Sequence, residues 1–130
     1  MDEAVRRPVA SLLAGDIPGV PGVYALYREG KPVYVGKATS LQSRLWKSHL
    51  RKGASMTNSA MRRNVAAFLG IASAADIKAR RYRPTADDAA RVSAWIGACE
   101  LAWLECESAA AALALETALK LETKPPLTKL

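Results

Sequence analysis

Two tyrosines, Tyr24 and Tyr34, stand ten positions apart in PGVYALYREGKPVYVGKA, residues 21–38, each beside a valine and close to a glycine, and Gly36-Lys37 follows the second. A phenol hydroxyl both donates and accepts a hydrogen bond. If nearby cations such as Lys37 lower its pKa, it can take a proton from an attacking water. That chemistry requires the two hydroxyls to reach one spot. Tyrosine and valine favour strands, and the stretch reads as one hairpin, strands 23–27 and 32–36 around the turn REGK. With a three-residue loop Arg28 pairs with Pro32, which places Tyr24, Leu26 and Tyr34 on one face, the tyrosines as diagonal neighbours. Gly36 then stands opposite Tyr24, where the missing side chain lets a backbone or a phosphate approach closely. A two-residue loop breaks this geometry, and the plain alternative is a pair of cross-strand aromatics filling a core.

The elements that must hold this hairpin follow from the remaining pattern. A helical lead-in at 9–13 is ended by the Pro18 to Gly22 punctuation. Ser40 caps a helix running to about 52, with Gly53 as its stop. Asn58 or Ser59 opens a second helix through 69, closed by Gly70. A short strand is expected at 77–82, before Pro84. Thr85, with Asp88 three residues on, opens a helix to 96. A third good strand covers 101–106, and the Ala/Leu run at 109–122 is strongly helical, ended by Pro125 and Pro126. The chain reads as α/β, a small central antiparallel sheet of three main strands flanked by helices. No repeat or linker divides it, so 1–130 is expected to be one domain, with 1–21 as a short lead-in.

At 130 residues and 13.9 kDa, with 50% hydrophobic and 24% charged residues, the chain can bury a core without disulfides. No apolar run is long enough to span a bilayer, and no signal-peptide pattern opens it, so no membrane partner and a cytoplasmic location are expected. Cys99 and Cys106 fall in ACELAWLECE, whose apolar residues suggest a buried strand, and seven steps along a strand separate them by roughly 23 Å and turn them to opposite faces, beyond disulfide reach. They are read as core thiols, and a single histidine in the chain leaves a cysteine-histidine metal site without ligands. The formal charge is +7, and from Arg44 to Arg83 ten basic residues face Asp76 alone. A block of that kind suits a polyanion, while a solvated basic face is the plain alternative.

The sequence GVY at 22–24, YVG at 34–36, Lys37, and Arg44 ten positions after Tyr34 resemble the GIY-YIG nuclease superfamily. The far end agrees. In LETALKLETKPPLTKL, Glu116 is followed nine positions later by Pro125 and twelve later by Thr128, where the family has a metal-binding glutamate, a proline and usually an asparagine. The resemblance covers 22–128 and is closest to the type in bacterial excision-repair nucleases and related stand-alone domains. It implies a divalent-metal-dependent endonuclease hydrolysing phosphodiester bonds in DNA, with RNA as a weaker variant and no small-molecule cofactor. Tyr24, Tyr34, Lys37, Arg44 and Glu116 are then the catalytic set, Glu116 holding one Mg²⁺ or Mn²⁺ ion.

On a helical wheel Glu116 falls between Leu113 and Leu119 on the apolar stripe, where a lone carboxylate is costly and wants a cation. Lys120, four residues on, offers an ordinary helix pair as the alternative to a metal. One carboxylate suits Mg²⁺ or Mn²⁺, which keep several waters. Two positions depart from the family. Ser48 stands where a histidine or tyrosine often follows the arginine by four, and His49 comes one later; on a regular helix it points about 140° from Arg44. Either the helix bulges at 45–47 or His49 is off the site. Thr128 replaces the asparagine. Lys47, Arg51, Lys52, Asn58, Arg62, Arg63 and Thr128 complete the expected nucleic-acid contacts. Trp95 and Trp103 are read as core, and Trp46 as semi-exposed packing. A second class stays open: a binding or interaction module that kept this fold and lost turnover. Oligomeric state and target are not encoded in these patterns.

Overall fold

A computed structural model of the chain describes residues 5–50 and 56–127, with the backbone alone at 47–49. Among these residues four strands form one antiparallel sheet: β1 (Arg7–Pro8), β2 (Gly22–Arg28), β3 (Lys31–Ala38) and β4 (Glu100–Glu105), in the spatial order β1-β4-β2-β3. The helices are α1 (Ala60–Phe68), α2 (Ala74–Lys78), α3 (Ala86–Gly97) and α4 (Ala109–Thr123), with a π-helix at Ser43–Leu50. Both faces of the sheet are covered. Tyr24, Leu26, Tyr34 and Leu101 pack with residues of α1, α2, α3 and the π-helix, and Val23, Ala25, Val35 and Ala102 pack with Ala112 and Leu119 of α4. β2 is therefore apolar on both faces, which is why VYALY runs without polar alternation. Among the described residues no helix is long and apolar enough to cross a membrane.

The hairpin differs from expectation in its loop and agrees in its register. The loop has two residues, Glu29 and Gly30, at φ 53° and 79°, with Arg28 opposite Lys31; two positive φ values are the signature of a type I′ turn. A bulge at Val33 then adds one residue to β3, so that Leu26 faces Tyr34 and Tyr24 faces Gly36. The Val33 carbonyl accepts a hydrogen bond from the Leu127 N–H at 2.9 Å, which ties the bulge to the segment after α4. Pro32 is tolerated because β3 is an edge strand.

Ser40 caps the next helix as expected, its Oγ accepting from the Ser43 N–H at 3.3 Å, but the helix is π-helical over Ser43–Leu50 rather than regular. Its apolar residues explain this. Leu41, Leu45, Trp46 and Leu50 spread over about half of a wheel turning 100° per residue. In a helix bonded i to i+5, Leu41 aligns with Trp46 and Leu45 with Leu50, and all four reach the core, Leu41 and Leu45 being fully buried. The same five-residue repeat sets the backbone of position 49 one turn on from Arg44, so the 140° separation does not hold. The side chains of Lys47, Ser48 and His49 lie outside the described residues.

Three further expectations change. No strand forms at 77–82: residues 77 and 78 end the short helix α2 and 79–82 are turn and bend, the helix being started by Ser73, whose Oγ accepts from the Asp76 N–H at 3.1 Å; this local cap outweighs the β-branched and aromatic content. The helical lead-in is a pair of 3₁₀ turns, Val9–Ser11 and Ala14–Asp16. Arg7–Pro8 before it adds the short strand β1 to the three expected. Elsewhere the caps hold: Ser59 for α1, Thr85 with Asp88 for α3, and Gly70 at φ 76° after α1. Cys99 and Cys106 are free and pack on opposite faces of the sheet, as read. Trp95 and Trp103 are half-buried at the rim of the core rather than inside it.

Candidate active site

Beside β3, the edge strand, lies a pocket of about 310 Å³ to which both faces of the sheet contribute. Tyr24, Tyr34 and Gly36 line it from the hairpin, Lys37 from the end of β3, Arg44 from the π-helix, Ala60 from the start of α1 and Glu116 from α4. The tyrosines belong to the face covered by α1–α3 and Glu116 to the helix on the opposite face. They meet because the sheet ends here. All five residues expected to do chemistry, Tyr24, Tyr34, Lys37, Arg44 and Glu116, are thus brought to one opening.

The tyrosine rings stack with centroids 6.2 Å apart and planes 21° apart, and their hydroxyls share a hydrogen bond. Gly36 makes room for this arrangement. A Cβ there would overlap Oη and Cζ of Tyr24 and lie 2.9 Å from its Cε2, so the glycine seats a phenol rather than admitting a phosphate. Burial pushes the Tyr24 hydroxyl well above its ordinary pKa and raises that of Tyr34. Arg44 pulls both down without reversing the effect. The expected lowering by nearby cations is therefore overturned: desolvation wins, and both phenols are neutral at pH 7.

Glu116 sits at the centre of the buried face of α4, between Ala112 and Leu119; Leu113, expected on that face, is half exposed. Glu116 is 8% exposed and has Lys120 Nζ 3.5 Å from its Oε1, so the helix pair weighed as an alternative to a metal is present. A buried carboxylate that opens into a polar pocket and already holds a cation beside it fits a divalent ion. Among the described residues no three His, Cys, Asp or Glu side chains converge, so Glu116 alone would contribute a carboxylate and water the remaining oxygens, the habit of Mg²⁺.

The expected nucleic-acid contacts divide. Asn58 is exposed, and Arg63 is half-buried with Nη1 donating to the Thr57 carbonyl. Arg62 is 1% exposed and its Nη1 donates to Ser93 Oγ at 2.9 Å, so it is a core residue and cannot reach a ligand. Its side chain follows from its place in α1, beside buried Met61 and Val65, whereas Arg63 next to it turns outward. Arg51, Lys52 and Thr128 lie outside the described residues, as do the side chains of Lys47 and His49. Lys78 is one of the ten basic residues between Arg44 and Arg83 but is not among the individual contacts expected above; the signal for the helix that carries it is Ser73 followed three residues later by Asp76.

A family model described as the GIY-YIG catalytic domain matches residues 23–129. No curated protein matches the chain by sequence. Among solved structures, the GIY-YIG N-terminal endonuclease domain of UvrC from Thermotoga maritima, bound to its catalytic divalent cation magnesium, shares 20% identity, with 87% of this chain and 88% of that chain covered and a TM-score of 0.47. Two point mutants of that domain, each bound to its divalent cation, match at 19% and 22% identity, 88% coverage of each chain and a TM-score of 0.48.

Proposed function

The chain belongs to the GIY-YIG catalytic domain family, and we propose on that premise that it is a divalent-metal-dependent endonuclease that hydrolyses phosphodiester bonds in DNA, acting as a single catalytic domain. The observation that supports this most is the convergence of Tyr24, Tyr34, Lys37, Arg44 and Glu116, from opposite faces of the sheet, on one open pocket. Arg44 and Lys37 hold the scissile phosphate and offset the charge that grows on it. In this reading Tyr24 gives its hydrogen to the bond it shares with Tyr34, which leaves its oxygen lone pairs for the attacking water. As the water oxygen bonds to phosphorus, its proton passes to the Tyr24 oxygen, the Tyr24 proton passes to Tyr34, and the Tyr34 proton leaves to solvent water in the open pocket. The bond to the 3′ oxygen breaks, and that oxygen takes a proton from solvent water to leave as a hydroxyl. A neutral phenol pair relays a proton in this way without forming a phenolate, which burial disfavours. Glu116 would hold the divalent ion, whose chemistry is Lewis-acid stabilisation of the departing oxygen.

The Lys120–Glu116 ion pair supports a second reading, in which a fixed internal cation replaces the metal and the domain binds nucleic acid without cutting it. One panel separates the two: supercoiled plasmid, linear duplex, branched DNA, single strands and RNA, each with Mg²⁺, Mn²⁺ or chelator. Cleavage of DNA with metal and none with chelator is the expected result. Binding without cleavage of any substrate would move the chain to the second reading, and cleavage of RNA alone would replace the substrate.

A further inference from the structure

Next to the catalytic pocket, and sharing Tyr34 and Ala60 with it, lies a second depression of about 360 Å³. Three helices each bring one cation to it: Arg63 from α1, Lys78 from the end of α2 and Lys120 from α4. Among the described residues no acidic side chain lines it. Arg63 is held in place by its bond to the Thr57 carbonyl, and Asn64 beside it is held by donating to the Leu127 carbonyl at 2.7 Å. Lys78 is exposed, and among the described residues no ion pair occupies it. Three like charges around one opening repel one another unless an anion joins them. Lys120 differs from the other two because it also stands 3.5 Å from the Glu116 carboxylate in the adjoining pocket, its side chain 22% exposed.

We propose that Arg63, Lys78 and Lys120 form a second phosphate site, which seats the backbone phosphate next to the one that is cut, and that Lys120 is shared between this site and Glu116. The identity of the phosphate rests on the nuclease reading above. The shared position has a consequence. With neither ligand bound, Lys120 neutralises Glu116. A divalent cation on Glu116 takes over that task and frees the ammonium for the phosphate, and a phosphate that draws Lys120 away leaves Glu116 open to the cation. Each ligand therefore favours the other, and by linkage to the same extent. The strand is thereby led from the cleaved bond along α1, between Ala60 and Arg63, rather than out over the exposed end of β3.

Two measurements test this, and neither depends on cleavage. Binding of a short DNA duplex, followed in chelator over a range of salt, gives the slope of log K against log salt. Lys78→Ala is expected to make that slope shallower by about 0.9, the loss of one phosphate contact, and Lys78→Arg to restore it. A slope unchanged in Lys78→Ala overturns the phosphate site, since an exposed lysine can be removed without unfolding the chain. Calorimetric titration of the protein alone with Mn²⁺ reads the shared cation. Lys120→Met is expected to bind Mn²⁺ at least about fivefold more tightly than wild type, because its competitor is gone. Equal or weaker Mn²⁺ binding overturns the sharing. A wild type that cuts nothing in the panel above but shows the Lys78 effect would overturn the nuclease reading and leave the phosphate site standing.

Discussion

Tyr24 lies across the backbone of Gly36, its partner on the neighbouring strand, and its hydroxyl occupies the space that a side chain at position 36 would fill. The glycine of the second tripeptide thus exists for the tyrosine of the first. Gly36→Ala should displace the Tyr24 ring, cost about 1–3 kcal/mol of stability by overpacking, and slow cleavage by more than the lost folded fraction explains. Urea midpoints and cleavage rates well below the midpoint check this. Full activity in the folded variant would show that the hydroxyl is not placed by this contact.

Tyr24→Phe keeps the ring and removes the relay. Cleavage is expected to fall by about 10²- to 10⁴-fold, the usual contribution of a positioned proton acceptor, with duplex affinity unchanged. Single-turnover rates and binding isotherms on one preparation separate the two effects.

Burial also gives the tyrosines a signature at alkaline pH. The Tyr24 hydroxyl has a folded-state pKa raised well above 10.0, and Tyr34 is raised as well. Their contribution to stability is therefore fully present below about pH 10 and is lost as pH climbs from there through the folded values, because the unfolded chain ionises first. Denaturation midpoints should fall steeply above that pH in wild type and less steeply in Tyr24→Phe. Parallel curves for the two proteins would contradict the assignment of the raised pKa.

Glu116→Gln should leave the fold intact and abolish both divalent-dependent cleavage and the heat of Mn²⁺ binding. The amide keeps the shape but loses the charge that holds a cation. Undiminished cutting by this variant would remove Glu116 from the metal site.

The adjacent arginines of α1 should separate cleanly. Arg62→Ala empties a large buried side chain and strands Ser93, so a loss of about 2–5 kcal/mol is expected with the salt dependence of duplex binding unchanged. Arg63→Ala should show the reverse, near-native stability and a shallower salt slope. A slope unchanged from wild type in Arg63→Ala would take Arg63 off the nucleic-acid surface, and a shallower one in Arg62→Ala would contradict its place in the core.

Much of the site is legible in the sequence. Tyr24 and Tyr34 are brought to one face with Gly36 opposite, as alternation along two strands requires, although the turn is one residue shorter than read and the Val33 bulge supplies the difference. A bulge leaves no mark in alternation alone; the Leu127 N–H, far along the chain, bonds to its Val33 carbonyl. The π-helix did leave a mark, the five-residue spacing of Leu41 with Trp46 and Leu45 with Leu50, and α2 left its cap at Ser73. Both were outweighed by propensities that favour a regular helix and a strand.

What the sequence determined by itself was local: alternation along β2 and β3, caps at Ser59 and Thr85, the helical run that carries Glu116, and the spacing that ties Tyr24, Tyr34, Lys37, Arg44 and Glu116 to one family. Only the tertiary structure decided that the tyrosines are neutral, that Arg62 is core while Arg63 faces outward, and that Lys120 stands between Glu116 and the cluster of Arg63 and Lys78. The physical reason is common to all three. An ionisable group's charge state and role depend on how much water it loses and on which distant groups replace that water, and both are set by packing between segments far apart in the chain.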